Sequence, residues 1–377
     1  MKLYIDENIP YAKQFFSAFG ELHLFSGRTV TAEQLRDADI LLVRSITKVD
    51  ENLLHLNKHL KFVGTATIGT DHIDKDYLSR RHIAFSSAPG CNKISVAEYI
   101  LSCLLVLAEK FQCQLAEKSV AIVGAGNTGS AVYERLTALG MRCKLYDPPL
   151  QLSNDKREFC DFDDVLKSDI ISLHVPKIMD GDFPTFHMFD EQTLQKLSDN
   201  QILINASRGE VIDNQALLAI AKQGKCPTLV LDVWENEPNI EKALIPFVEI
   251  ATPHIAGYSL DGKARGTEML YQALCKLLSC NIEHEASHFV VQPAITNVSI
   301  TKPISQPILK CLMHLIFDVR RDDALFRQMI DQDDGFDIMR KNYSERRELS
   351  TLTVNAPASQ SQLLKSLGFN CNDVQER

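Results

Sequence analysis

Three ionisable side chains follow one another in short segments that each succeed an apolar run. Arg208 lies in Asn205-Ala206-Ser207-Arg208-Gly209-Glu210, Glu237 in Asp232-Val233-Trp234-Glu235-Asn236-Glu237-Pro238, and His254 in Thr252-Pro253-His254-Ile255-Ala256-Gly257. Together they supply what the oxidation of a 2-hydroxy acid asks of a protein. A planar guanidinium grips a carboxylate through two parallel hydrogen bonds and stays charged at any working pH. An imidazole, with an ordinary pKa of about 6.5, can take the hydroxyl proton near neutrality. A carboxylate on the other ring nitrogen fixes the tautomer and stabilises the imidazolium as it forms. Singly, each residue has an ordinary structural reading: a salt-bridged loop arginine, a turn acid before Pro238, a core histidine. All three in this order favour chemistry.

The remaining requirement is a hydride acceptor. The apolar run Ser119–Val123 enters Gly124-Ala125-Gly126-Asn127-Thr128-Gly129, and a stretch with helical spacing follows. The first glycine allows the tight turn, the second admits a pyrophosphate close to the backbone, and the third lets helix and strand pack closely. The helix N-terminus then offers unpaired N–H groups and a favourable dipole to phosphate. Such a loop alone is weak evidence, but the next apolar run ends at Asp147, within the interval of about 20 residues expected of a ribose-binding acid. A carboxylate there would accept from both ribose hydroxyls and repel a 2′-phosphate, and Pro148 and Pro149 stand where an NADP site favours a basic residue. NAD is therefore the expected cofactor.

Elements that could position these groups alternate along the chain. Short β-rich runs at 2–5, 40–43, 61–64, 120–123, 144–146, 170–174, 202–205 and 229–231 alternate with helical patterns. That alternation predicts parallel sheets with helices on both faces, which bind ligands at the carboxyl ends of their strands. Residues 38–43 echo 168–173, each a polar start to an apolar strand, which suggests two related halves. The expected fold is α/β: two Rossmann-like, doubly wound parallel-sheet domains plus a smaller α+β C-terminal domain. The proposed division is a substrate-binding domain of residues 1–94 and 257–285, a NAD-binding domain of 95–256, and a C-terminal domain of 286–377. The long apolar helix starting near Ser95 would cross between the first two, and residues 370–377 read as a frayed tail. Arg340, Lys341, Arg346 and Arg347 form a basic cluster that is either a solvated surface or a partner for substrate phosphate. Arg44, Ser45, Lys48 and Thr67 make a polar, cationic edge on the first domain that would also suit a phosphate.

Bulk properties narrow the class further. At 377 residues the chain is long enough for two or three domains, and a net charge of −9 with 24% charged residues disfavours a general nucleic-acid binder. Ten dispersed cysteines without a CxxC pair predict reduced thiols, no disulfide and no metal site. Acids at Asp6 and Glu7 argue against a signal peptide, and the most apolar stretch, 94–108, contains Glu98 and is too short to span a bilayer. A cytoplasmic protein without membrane partners is expected.

At Arg208, Glu237 and His254 the sequence resembles the D-isomer-specific 2-hydroxyacid dehydrogenases, with motifs at 6–11, 43–48, 64–72, 257–266 and 317–323 that extend the resemblance over nearly the whole chain. The resemblance implies that Arg208, Glu237 and His254 are catalytic. It places Gly124, Gly126, Asn127, Thr128, Gly129, Asp147, Asp232, Gly257 and the run Ala206, Ser207 and Arg208 at NAD, and Ser45, Thr67 and Tyr258, with Arg44, at substrate. Val175 stands where the family suggests threonine, so only a neighbouring role beside NAD is expected of it. It further implies a small phosphorylated hydroxy acid as substrate and a homodimer joined through the C-terminal domain. Two other readings compete: a related dehydrogenase of the phosphoglycerate or glyoxylate type, and a non-catalytic NAD-sensing protein of the same fold.

Overall fold

The computed structural model describes residues 1–374, and the chain divides into two compact units, Met1–Asn92 with Ser259–Gln292, and Lys93–Tyr258 with Pro293–Arg377. The first is built on five parallel strands, β1 (Lys2–Asp6), β2 (Glu21–Phe25), β3 (Ile40–Val43), β4 (Phe62–Thr65) and β5 (Ala84–Ser86), in the order β2-β1-β3-β4-β5. Successive side chains of a strand point to opposite faces, so its central strands must be apolar on both. In β3, Ile40 and Leu42 join Leu3, Ile5, Phe15 and Leu270 on one face, while Leu41 and Val43 join Leu35, Val63 and Leu78 on the other.

The second unit carries a six-stranded parallel sheet of β6 (Ser119–Val123), β7 (Arg142–Tyr146), β8 (Ile170–Leu173), β9 (Ile202–Asn205), β10 (Thr228–Leu231) and β11 (Val248–Ala251). Its order, β11-β10-β9-β8-β6-β7, repeats that of the first sheet with one strand added. The echo between 38–43 and 168–173 thus falls on equivalent strands, β3 and β8, each lying beside the first strand of its sheet. Between β6 and β8 the winding reverses, and there the carboxyl ends open a crevice suited to a ligand.

A third sheet, β12 (Asn297–Ser299), β13 (Thr353–Pro357) and β14 (Asn370–Val374), is also parallel. It gives the C-terminal segment the expected α+β character, and that segment packs in one compact unit with the six-stranded sheet. The cause is a shared core: Leu309, Leu312, Met313, Leu364 and Leu367 pack in one cluster with Ile100, Leu104, Val132 and Leu136. Helix Lys93–Lys110 is buried nearly all round for this reason, and Glu98 is drawn inside with it. Burial first, and the charge of Glu348 next, push the Glu98 carboxyl up to about 8. Asp323 accepts the Ala251 N–H at 2.8 Å and Arg327 donates to the Val248 carbonyl at 2.6 Å, so the helix Val319–Met329 covers the exposed edge of β11.

Two expectations change accordingly. Residues 370–374 of the supposed frayed tail form a paired strand, and 375–377 lie outside the described residues. Arg346, expected on a charged surface or at a phosphate, is only 4% exposed and donates to the carbonyls of Ala256 (3.0 Å) and Ser95 (2.6 Å). No two of the ten cysteines are joined by a disulfide among the described residues.

Candidate active site

Glycine is required by contact at three places around the crevice. A Cβ on Gly129 would stand 1.8 Å from the Gly124 carbonyl oxygen, which is the close helix-to-strand packing the third glycine permits. One on Gly124, whose φ is +92°, would meet the His174 carbonyl at 2.6 Å and Val175 Cγ1 at 2.9 Å. Val175 therefore does adjoin the glycine loop, and its isopropyl group brings no hydrogen bond. Gly126 behaves differently: no atom lies within 4 Å of a Cβ built there, so the space in front of it is open. The helix Asn127–Ala138 begins there without a side-chain cap, leaving its first N–H groups facing that space.

Asp147 closes the other side of the loop. Its Oδ2 accepts the Ala125 N–H at 2.8 Å, and its Oδ1 accepts the Leu150 N–H at 3.1 Å as the cap of a short helix. Each carboxylate oxygen keeps a further acceptor site for a ribose hydroxyl. An open glycine, an uncapped helix start and an acid fixed at the end of the second strand together fit a dinucleotide such as NAD.

Arg208 is carried by the turn after β9. Asn205, buried at the end of that strand, accepts from Ser207 N and Ser207 Oγ and donates to the Arg208 carbonyl at 2.9 Å. A Cβ on Gly209, the third such place, would lie 2.0 Å from both the carbonyl carbon and oxygen of Trp234. Only glycine lets the arginine turn lie directly against the segment that ends at Glu237.

Glu237 and His254 meet. His254 Nδ1 is 2.7 Å from Glu237 Oε2, and Glu237 Oε1 accepts the Trp234 N–H at 2.9 Å. Burial would raise the Glu237 carboxyl, but the charge of His254, the bond to it, the charge of Arg340 and the Trp234 N–H hold it below the ordinary carboxylate range. An ionised carboxylate can only accept, so Nδ1 carries the proton and Nε2 is left as the basic nitrogen. The ring is further held by its own backbone: His254 has φ +58°, a left-handed conformation that costs a side-chain-bearing residue about 1 kcal/mol.

Asp232 holds that conformation in place. It is 1% exposed, and burial pushes its carboxyl up. Oδ1 accepts from Thr252 Oγ1 (2.6 Å) and Ile255 N (2.8 Å), and Oδ2 accepts from Ala256 N (2.9 Å). Its backbone carbonyl accepts the His254 N–H at 2.6 Å. Three donors on one buried carboxylate leave it at most one acceptor site for the cofactor expected beside it. Tyr99 reaches the same network, its hydroxyl 2.8 Å from Thr252 Oγ1.

Tyr258 ends this segment, and its hydroxyl accepts from Arg340 Nη2 at 3.2 Å. The other expected substrate residues belong to the first unit. Arg44 and Ser45 follow β3, and Thr67 follows β4, so all three stand at carboxyl ends of adjacent strands. Ser45 is exposed, and Thr67 Oγ1 donates to the Gly69 carbonyl at 2.9 Å. Lys48 is paired with Asp50 at 3.1 Å.

Sequence reasoning does not single out Asn205, Thr252 or Tyr99 as parts of the site, and it offers Arg340 only as one of a basic cluster that is either solvated or a phosphate partner. The first two lie inside the segments that carry Arg208 and His254, where a polar residue at a strand end is a usable signal. Tyr99 is distant in sequence and carries no local signal, and neither does the pairing of Arg340 with Tyr258, 82 residues apart. The same holds for a further cluster, His187 with Glu235 (2.6 Å) and Asp213 (3.7 Å). His187 Nε2 faces Glu235 and Nδ1 faces Asp213, and Glu235 accepts the Asn214 N–H at 2.8 Å, which ties the cluster to the start of helix Asn214–Lys222.

A dinucleotide crevice beside a carboxylate-oriented histidine and an arginine turn defines an NAD-dependent dehydrogenase of 2-hydroxy acids. Residues 107–256 match the family described as D-isomer specific 2-hydroxyacid dehydrogenase, NAD binding domain, and 289–368 match a domain of unknown function, DUF3410. The chain is 68% identical over 372 residues to the erythronate-4-phosphate dehydrogenase of Psychromonas ingrahamii, covering 99% of this chain and 97% of the relative. It is 51% identical over 394 residues to that of Colwellia psychrerythraea, covering 99% and 100%. Among solved structures, D-lactate dehydrogenase from Aquifex aeolicus, complexed with NAD and lactic acid, aligns with a TM-score of 0.61 at 26% identity, over 74% of this chain and 95% of that one. The chain belongs to the erythronate-4-phosphate dehydrogenase family of D-isomer-specific 2-hydroxyacid dehydrogenases.

Proposed function

We propose that this chain oxidises 4-phospho-D-erythronate to 2-oxo-3-hydroxy-4-phosphobutanoate, a step towards pyridoxal phosphate. The observation that carries the reading is the 2.7 Å contact between Glu237 and His254 Nδ1, which leaves Nε2 as the base. Arg208 holds the substrate carboxylate, His254 Nε2 takes the C2 hydroxyl proton, and Glu237 stabilises the imidazolium that results. NAD supplies the acceptor for the C2 hydride. Gly124, Gly126, Asn127, Thr128, Gly129 and Asp147 hold the cofactor, with Val175, Ala206, Ser207, Asp232 and Gly257 as its neighbours. Ser45, Thr67 and Tyr258, with Arg44, serve the substrate.

The chain works as a homodimer in the cytoplasm on this reading. Ile295, Leu315, Leu325 and Ile338 are exposed apolar side chains of the C-terminal segment, which supports a role for that segment in pairing. No helix among the described residues is long and apolar enough to cross a membrane. An NADH absorbance assay with 4-phosphoerythronate beside lactate, glycerate and 3-phosphoglycerate tests the substrate. Preference for the phosphorylated four-carbon acid is expected, and equal or better turnover of another acid would assign the chain a different substrate.

A further inference from the structure

The region that matches the model of a domain of unknown function aims two cations at the segment carrying His254. Arg346 donates to the Ala256 carbonyl and lies with its guanidinium carbon 3.7 Å from the centre of the Phe317 ring. Arg340 lies 5.8 Å from the centres of both the Phe336 and Tyr258 rings and donates to the Tyr258 hydroxyl. Tyr343 stands edge-on to Tyr258 at 5.8 Å and is itself tied to Asp322 by a 2.6 Å bond. Ala256 and Tyr258 are the second and fourth residues after His254, so the segment beyond the proposed base is held once through its backbone and once through the Tyr258 side chain.

We propose that Arg340 is a positioning residue for the oxidation: it fixes Tyr258 through its hydroxyl and lends positive charge to the Glu237–His254 pair, while Arg346 anchors the intervening backbone. The inference rests on the dehydrogenase reading above. It assigns to the C-terminal region a part in the active site of its own chain. The charge of Arg340 is among the causes that keep Glu237 ionised despite burial. Other charged groups acting on this set include Asp232 on His254, Asp337 on Arg340, and Asp322 and Glu98 on Arg346. Taking a cation away from the pair makes its shared proton harder to release. Oxidation needs the neutral imidazole, so the acid limb of the pH profile must then move to higher pH.

The test compares R340Q and R340K with the unaltered full-length protein, measuring kcat/KM for 4-phosphoerythronate from about pH 5.5 to 9.5 and NAD affinity by fluorescence titration. R340Q should move the acid limb upward by about 0.5 to 1 pH unit and lower kcat about tenfold, with NAD affinity changed less than about twofold. R340K keeps the charge and loses the planar fork, so its limb should stay in place while kcat falls. A folded R340Q with an unmoved limb would overturn the inference, as would an R340K limb displaced as far as that of R340Q. Should R340Q not fold, R340K alone decides: unchanged kcat rejects the positioning role. Failure of the dehydrogenase reading looks different, because the unaltered protein would then not turn over 4-phosphoerythronate at all.

Discussion

Replacing Gly209 with alanine tests whether the arginine turn is placed by backbone contact. The added Cβ would sit 2.0 Å from the carbonyl carbon and oxygen of Trp234, against ordinary contact from 3.4 Å. The turn and the Trp234 segment must therefore part by about 1.4 Å, and no flexible side-chain end is there to yield. A misplacement of about 1 Å costs roughly 100-fold when it falls between reacting groups. Arg208 is next to Gly209 and Glu237 is three residues after Trp234, so both proposed participants move. G209A should thus lower kcat/KM for the hydroxy acid by about 100-fold, or about 2.7 kcal/mol. The glycine loop lies elsewhere, so NAD affinity should change far less. NADH absorbance gives the first quantity, fluorescence titration the second, and circular dichroism melting shows how much of the folded protein remains. Turnover within a factor of about three of the unaltered enzyme, in a folded G209A protein, would refute the reasoning.

The H254N variant should bind NAD nearly normally and turn over about 100- to 10,000-fold more slowly, as measured by the same two assays; near-normal turnover would remove His254 from the mechanism. D147A should weaken NAD, narrow its advantage over NADP and lower the melting temperature, because the helix cap and the tie to Ala125 disappear with the ribose contacts. An unchanged ratio of NAD to NADP efficiency would leave Asp147 with the structural role alone. Glu98 has a folded pKa raised to about 8 from 4.5, so the folded state binds more protons than the unfolded state across that interval. Its contribution is present below about pH 4.5 and is lost as pH rises to about 8, with a limiting slope of about 1.4 kcal/mol per pH unit. E98Q should flatten that loss, so its melting temperature relative to the unaltered protein should increase between about pH 5 and 8; a constant difference would contradict the buried, protonated Glu98.

How far the sequence reaches depends on where a residue's partners lie. The interior strands β3, β4 and β8 were readable because both faces are buried, which forces a continuous apolar run. At the sheet edges, β2 is half-exposed and contains Glu21 and His23, while β11 contains Glu249, so neither carries that pattern. The glycine loop, Arg208, Glu237 and His254 announce themselves through residue type and local spacing. Their support does not: Tyr99 meets Thr252 across 153 residues, and Arg346 reaches Ser95 across 251. A run of charge such as 340–347 reads as surface until the chain folds back on itself and finds carbonyls for it.

The central claim is that the C2 hydride of a phosphorylated 2-hydroxy acid passes directly to NAD with His254 as the base. Substrate deuterated at C2, incubated with enzyme and NAD, tests it by mass spectrometry of the reduced cofactor. The account requires one deuterium per NADH formed, with negligible formation by H254N on the same timescale. Unlabelled NADH, or labelled NADH produced as fast by H254N, would contradict it.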